Sequence, residues 1–255
     1  MPTFHVNRSL LTMAAALLLL LASSLAWSHY PWVIVANDAA QQDTISVQLG
    51  WGHSFPNDGN LASNRVYDLR LFSADGAFTL LTESTDHHFD ATAFNGVQMV
   101  SFQQARSFYS QTRQGGRPGN KSHLAGVLSC SFSNNSGKAL IGGGSVMNQP
   151  VNHALEIIPL ADLNTLAVGQ NFPIQVLWHD QPFAGTVQAT SSSHAAVTES
   201  QYPIVVETNS NGVAEVPLTQ AGYWMFKATA QSPFYDNSLC DTNGYLATLT
   251  FWIQR

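Results

Sequence analysis

The chain has 255 residues, a formal net charge of −6, and only ten Lys and Arg residues spread along it. No face can therefore gather the basic footprint of a nucleic-acid binder or of a protein held on an anionic membrane surface. With 45% hydrophobic residues and two cysteines, the composition is that of an acidic globular chain with cores to fill.

Residues 1–28 read as a cleaved signal peptide. Arg8 is the only charge in them, and the apolar run Leu10–Ala22 is too short to span a bilayer comfortably and is followed by small residues. Two cleavage sites satisfy the small-x-small rule. Ser24-Leu25-Ala26 would leave Trp27 first, and Ala26-Trp27-Ser28 would leave His29 first. Removal of residues 1–28 takes the charge to −7 and leaves an exported chain.

Beyond this segment nearly every scoreable run alternates with period two. In "TISVQLG" Ile45, Val47 and Leu49 share a face. Phe172, Ile174, Val176 and Trp178 do so in "FPIQVLW", and Leu249, Phe251 and Ile253 in "LATLTFWI". Turn chemistry separates the runs: "SADGAF" at 73–78, "HDQP" at 179–182 and "TNSNG" at 208–212 each predict a connection between strands. The pattern weakens between Asp90 and Asn120, where "SFYSQTRQGGRPGNKSH" reads as a long exposed loop with a flexible tip. "IGGGSVMNQPVN" at 141–152 is the best domain boundary. The expected fold is all-β: an N-terminal β-sandwich over 29–145 and a C-terminal immunoglobulin-like β-sandwich over 150–255. In an oxidising compartment Cys130 and Cys240 suggest one bridge, the alternative being two buried thiols.

Several elements, in order, carry a resemblance. They are "SHYPWVIV" after the signal segment, "LGWGHSFPND" at 49–58, "ALEIIPL" at 154–160, "FPIQVLWHDQPFAGTVQA", "AGYWMFKA" and "YLATLTFWI". Together they resemble an exported family of unknown function described as the periplasmic component of nickel and cobalt uptake systems. The resemblance covers nearly the whole mature chain and is weakest between Asp86 and Lys138. It departs at the hairpin, where His179-Asp180-Gln181 stands in place of the family's Asp-Gly or Gly-Lys turn. It implies a histidine at the mature N-terminus, which agrees with cleavage after Ser28, a periplasmic location, and a membrane transporter as partner.

A terminal His29 offers its α-amine and its imidazole to one metal ion. His53, in "GWGHSFP", is the best second imidazole, because it ends a strand that can lie beside the N-terminal strand. Three nitrogens suit Ni(II) or Cu(II), with Co(II) and Zn(II) also open. His87 and His88 in "TDHHFD", flanked by Asp86 and Asp90, read as a solvated hairpin flank and as the next place to look for a ligand. His123 lies near the loop that could close over a site; His153, His179 and His194 read as surface histidines. Met99 reads as core, "GGGS" at 142–145 lacks the Lys and helix of a phosphate loop, and no Gly-x-Ser-x-Gly elbow supports hydrolase chemistry.

The leading expectation is a non-enzymatic periplasmic carrier of Ni(II) or Co(II) with His29 and His53 as ligands. A copper-dependent oxidative enzyme built on the same N-terminal histidine chelate, and a structural or adhesive sandwich module, are the alternatives.

Overall fold

The computed structural model describes residues 29–85, 87–96, 98–143, 148–194 and 202–254. The signal segment and both cleavage sites lie outside these residues, as do Asp86 and positions 144–147 of the expected boundary. Strands make up 58% of the described residues, which hold no α-helix, only three short 3-10 turns. The chain is all-β.

The first eleven strands are β1 (Tyr30–Val35), β2 (Thr44–Gly52), β3 (Gly59–Asn60), β4 (Val66–Ser73), β5 (Phe78–Leu80), β6 (Thr82–Thr85), β7 (His88–Thr92), β8 (Gln98–Gln104), β9 (Ser107–Thr112), β10 (Gly115–Pro118) and β11 (Val127–Ile141). One sheet runs β1-β2-β7-β6, with β3 beside β2; facing it are β11-β8-β4-β5. That is the A-B-E-D and G-F-C-C′ arrangement of an immunoglobulin-like sandwich. The alternation read in the sequence is the reason it closes: Ile45, Val47 and Leu49 point inward and join Leu71, Val100 and Phe102 in one core.

The remaining strands are β12 (Leu155–Pro159), β13 (Asn171–Trp178), β14 (Gln181–Pro182), β15 (Thr186–Ser191), β16 (Ile204–Glu207), β17 (Val213–Pro217), β18 (Gly222–Pro233) and β19 (Thr242–Ile253). The order β12-β13-β17 faces β16-β15-β18-β19, again an A-B-E sheet against a C′-C-F-G sheet. Phe172, Ile174, Val176, Phe226, Leu249 and Phe251 form this second core, against which Trp178 packs half-buried. The loops read from turn chemistry at 73–78, 179–182 and 208–212 join β4 to β5, β13 to β14 and β16 to β17. At the second of these, His179 and Asp180 both take positive φ (49° and 60°), the backbone of a two-residue I′ turn.

The two last strands of these sandwiches, β11 and β19, pair in parallel from Ser131↔Thr242 to Ala139↔Thr250. The pairing fuses their sheets into one of ten strands, which runs on both sides of the glycine-rich stretch at 141–152. β19 is consequently covered on both faces. Its odd positions, Leu249 and Phe251, enter the second core. Its even positions, Thr248 and Thr250, turn to β1.

The expectation of a long exposed loop with a flexible tip at 107–123 is corrected to a paired hairpin. This stretch forms the hairpin β9-β10, and β9 pairs with β11. The ribbon escapes a period-two reading because its buried positions are polar: Ser110 and Thr112 are buried, with their hydroxyls donating to the Gly119 and Gly115 carbonyls at 2.8 Å each. Through Phe108 it packs on a cluster of Phe132, Phe234 and the Cys130–Cys240 disulfide, which joins β11 to the turn before β19.

Candidate functional site

β1 and β2 lie antiparallel with Tyr30 opposite Gly52, so the next step outward sets His29 opposite His53. Their ring centroids are 4.3 Å apart with planes inclined by 39°, and the Trp51 indole lies 5.6 Å from the His29 ring. His29 is exposed and His53 half-buried. The two residues singled out in the sequence are therefore neighbours.

Local chemistry fixes both strand ends. β1 is an edge strand, and an edge strand's outward carbonyls need donors. Here side chains supply them: Thr248 Oγ1 donates to the Pro31 carbonyl at 3.0 Å, Thr250 Oγ1 and the Tyr223 hydroxyl donate to Val33 at 3.0 and 2.5 Å, and Trp252 Nε1 donates to Val35 at 3.0 Å. Pro31 has no N–H, which an edge position tolerates. Burial pushes the Tyr223 phenol pKa up, so it remains a donor. An aromatic core of Tyr30, Trp32, Phe55, Tyr202 and Tyr223 fills the space beneath, where the Lys227 ammonium sits over the Tyr30 and Tyr202 rings at 4.5 and 4.6 Å.

On the β2 side, Asp58 Oδ2 accepts the amides of His53 (2.6 Å) and Ser54 (3.2 Å), while the Tyr30 hydroxyl donates to the His53 carbonyl at 2.9 Å. Two glycines make this possible. A Cβ at Gly50 would overlap the Trp32 indole, and one at Gly52 would overlap the Asp58 carboxylate. The glycine spacing in "GWGHSFP" is thus a consequence of close packing around His53.

Two imidazoles bound in adjacent positions of one ion, with metal–nitrogen bonds of about 2.0–2.1 Å, place their ring centroids roughly 4.5–5 Å apart. The His29–His53 centroid distance of 4.3 Å is slightly below that range. No group of three or more His, Cys, Asp or Glu able to hold a metal occurs among the described residues. Any ion held between these two rings would need further ligands from outside the described side chains.

Arg65 and Trp51 are site neighbours that motif reading did not single out. Arg65 ends the 3-10 turn Ser63–Arg65, and its guanidinium lies 4.4 Å above the Trp51 ring. Only long-range packing places it there.

The other histidines fall away from this pair. His88 Nε2 lies 2.7 Å from Gln48 Nε2, and Gln48 is several residues back along β2 from His53. His87 occupies the adjacent turn with φ of 67°. Asp90, hydrogen-bonded by Ser84 and Ser46 and close to His88, is held below the usual carboxylate range. His123 belongs to the turn after β10, where its amide donates to the Asn120 carbonyl at 3.1 Å. His179 is exposed, and His194 is half-buried between Ser191 and Gln220.

His153 overturns its reading as a surface residue. It is 4% exposed, its Nε2 lies 3.0 Å from Ser101 Oγ, and burial lowers its pKa to about 4. Beside it Lys138 and Glu156 form a buried ion pair at 2.9 Å, and Glu156 also accepts the amides of Val151 and His153. Burial alone would raise the Glu156 pKa; the Lys138 ammonium and these donors hold it below the ordinary value. A lone histidine between a proline turn and a strand gave no sign of this network, which β8 and β11 complete.

No curated protein matches the chain. Among solved structures, the D0-D1 domain of Intimin is similar at 12% identity, covering 87% of this chain and 97% of that one, with a TM-score of 0.21. A family model matches residues 26–232, from just before His29 to the end of β18. The chain thus belongs to the family described as domain of unknown function DUF4198.

Proposed function

We propose that the mature protein is a periplasmic, non-enzymatic carrier that captures a divalent transition metal, nickel or cobalt, and hands it to a membrane uptake system. The observation that carries this reading is the 4.3 Å approach of the His29 and His53 rings at one strand end. Cleavage after Ser28 would add the His29 α-amine, giving a compact set of three nitrogens of the kind that suits Ni(II), Co(II) or Cu(II). The chain's own part is to hold the two rings in place through Asp58, Tyr30 and the donors along β1, so that little ordering is left for the moment of capture. The acidic net charge favours cation approach.

Calorimetric titration of the exported protein with Ni(II), Co(II) and Cu(II) tests the reading, with mass spectrometry to define the first residue. Nanomolar to micromolar binding of Ni(II) or Co(II) is expected. It should vanish in His29→Ala and His53→Ala and in a form carrying one extra residue before His29. Equal binding by all four forms would remove the site. Strong preference for Cu(II) with copper-dependent peroxide consumption would favour the oxidative enzyme instead.

A further inference from the structure

We propose that the cleft lined by Gln104, Arg106, Asn134 and Asn135 binds a sugar acid, with Gln104 and Arg106 receiving its carboxylate and the two asparagines its hydroxyls. It involves neither His29 nor His53 and does not depend on the metal-carrier reading.

The cleft follows from a change of strand partner. β11 pairs with β8 up to Gln103↔Ser136 and with β9 from Ser107↔Ser133, so Asn134 and Asn135 have no ladder neighbour on that side. Two amide doublets, in "FQQAR" and "FSNNS", therefore line the gap, and Tyr67 of β4 and Arg106 complete it. A β-bulge in β4 follows Tyr67, with Asp68 at φ 60°. Asp68 is engaged outside the cleft lining: it pairs with Arg70 and accepts from Gln103 Nε2 at 3.2 Å.

Internal hydrogen bonds fix which atoms are left for a ligand. The Tyr67 hydroxyl donates to Gln103 Oε1 at 3.0 Å, so Gln103 is satisfied at both ends. Asn135 Nδ2 donates to Gln104 Oε1 at 3.0 Å, and Asn134 Nδ2 donates to the Phe132 and Gly244 carbonyls at 3.2 and 3.4 Å. Gln104 Nε2, Asn134 Oδ1 and Asn135 Oδ1 keep no partner among the described residues. Gln104 is only 2% exposed, so its spare amide donor has the cleft as its outlet. Arg106 makes no ion pair among the described residues, and the sequence holds no Asp or Glu between Asp90 and Glu156. The cleft is thus a locally positive place in a chain of net charge −6.

Two donors, one of them a guanidinium, match a carboxylate, and two carbonyl oxygens match hydroxyls. The base of the cleft has room for one water-sized group, which admits the carboxylate and leaves the ring of a ligand at the mouth. Tyr67, 42% exposed at that margin, gives the ring an aromatic surface. A uronic acid carries all three features on one residue. A neutral sugar leaves Arg106 and Gln104 unmatched, and a simple anion leaves the asparagine oxygens unmatched.

Nitrogen–proton NMR titration of the exported protein tests this, with EDTA present to keep metal from the histidines. The probes are sodium glucuronate, glucose, acetate and acetyl-alanine. Glucuronate should bind saturably, with affinity on the order of millimolar, and shift the side-chain amide signals of Gln104, Asn134 and Asn135. Glucose and acetate, each matching half of the cleft, should bind at least about tenfold more weakly. Arg106→Met, at an exposed position, should lower glucuronate affinity about tenfold. Gln104→Glu keeps the acceptor for Asn135 Nδ2 but sets a negative charge where the donor stood, and should abolish binding. Trigalacturonate separates the two sources of such a residue: tighter binding than the monomer identifies a polysaccharide, equal binding the free acid. Glucuronate that fails to bind the wild type, binds both variants unchanged, or is matched by glucose, acetate or acetyl-alanine would overturn the assignment and leave the metal titration untouched.

Discussion

The Tyr223 hydroxyl donates to the Val33 carbonyl at 2.5 Å and accepts from the Val35 amide at 3.2 Å, tying β18 to a strand some 190 residues earlier. The strand that ends in His29 is thus held in place by the C-terminal half. Tyr223→Phe takes the partner from the buried Val35 amide and leaves the Val33 carbonyl with Thr250 Oγ1 alone, at a cost of about 1–3 kcal/mol. The urea midpoint should fall by that amount. Metal affinity should fall too, although no ligand has been touched, because β1 loosens. Unchanged affinity in a destabilised variant would show that His29 is positioned by β2 alone.

Gly52 makes a second prediction. Any Cβ there meets the Asp58 carboxylate that caps the His53 amide, and the φ of 154° adds strain for other residues. Gly52→Ala should therefore weaken metal binding about as much as Asp58→Ala, and the double variant should add little, since both act through His53. Fully additive losses in a titration of the three variants would break the link between them.

Acid stability is set by the buried network around His153. Its pKa is about 4 in the fold against 6.5 for a free histidine, so below pH 6.5 the unfolded chain binds a proton that the folded chain refuses. Stability from this source is complete above pH 6.5 and is lost as pH falls to 4, with a total of about 3 kcal/mol. Denaturation at pH 7 and pH 4.5 should show the slope in the wild type and a shallower one in His153→Asn. Equal slopes would place the acid sensitivity elsewhere.

Much of the architecture is legible in the residue pattern. Period-two alternation in "TISVQLG", "FPIQVLW" and "LATLTFWI" predicts the inward faces seen in the two cores, because burying one face of a strand leaves few other ways to arrange apolar side chains. It fails at 107–123, where the hairpin is held by hydroxyls and by pairing with β11 and no apolar stripe exists to read. His153 escapes for the same reason, since a buried polar group is recognised only by its partners, and those lie on β8, β11 and β12.

At the site the division is equally physical. From the sequence alone come the strands, the turns, and the identity of His29 and His53 as the residues worth bringing together, since these depend on local side-chain chemistry and spacing. Their meeting across β1 and β2, the Arg65 guanidinium over Trp51, and the donors that Thr248, Thr250, Tyr223 and Trp252 extend to an edge strand were decided by the tertiary structure. Such contacts join residues as much as 217 positions apart, and no local periodicity encodes which distant strand will supply a missing donor.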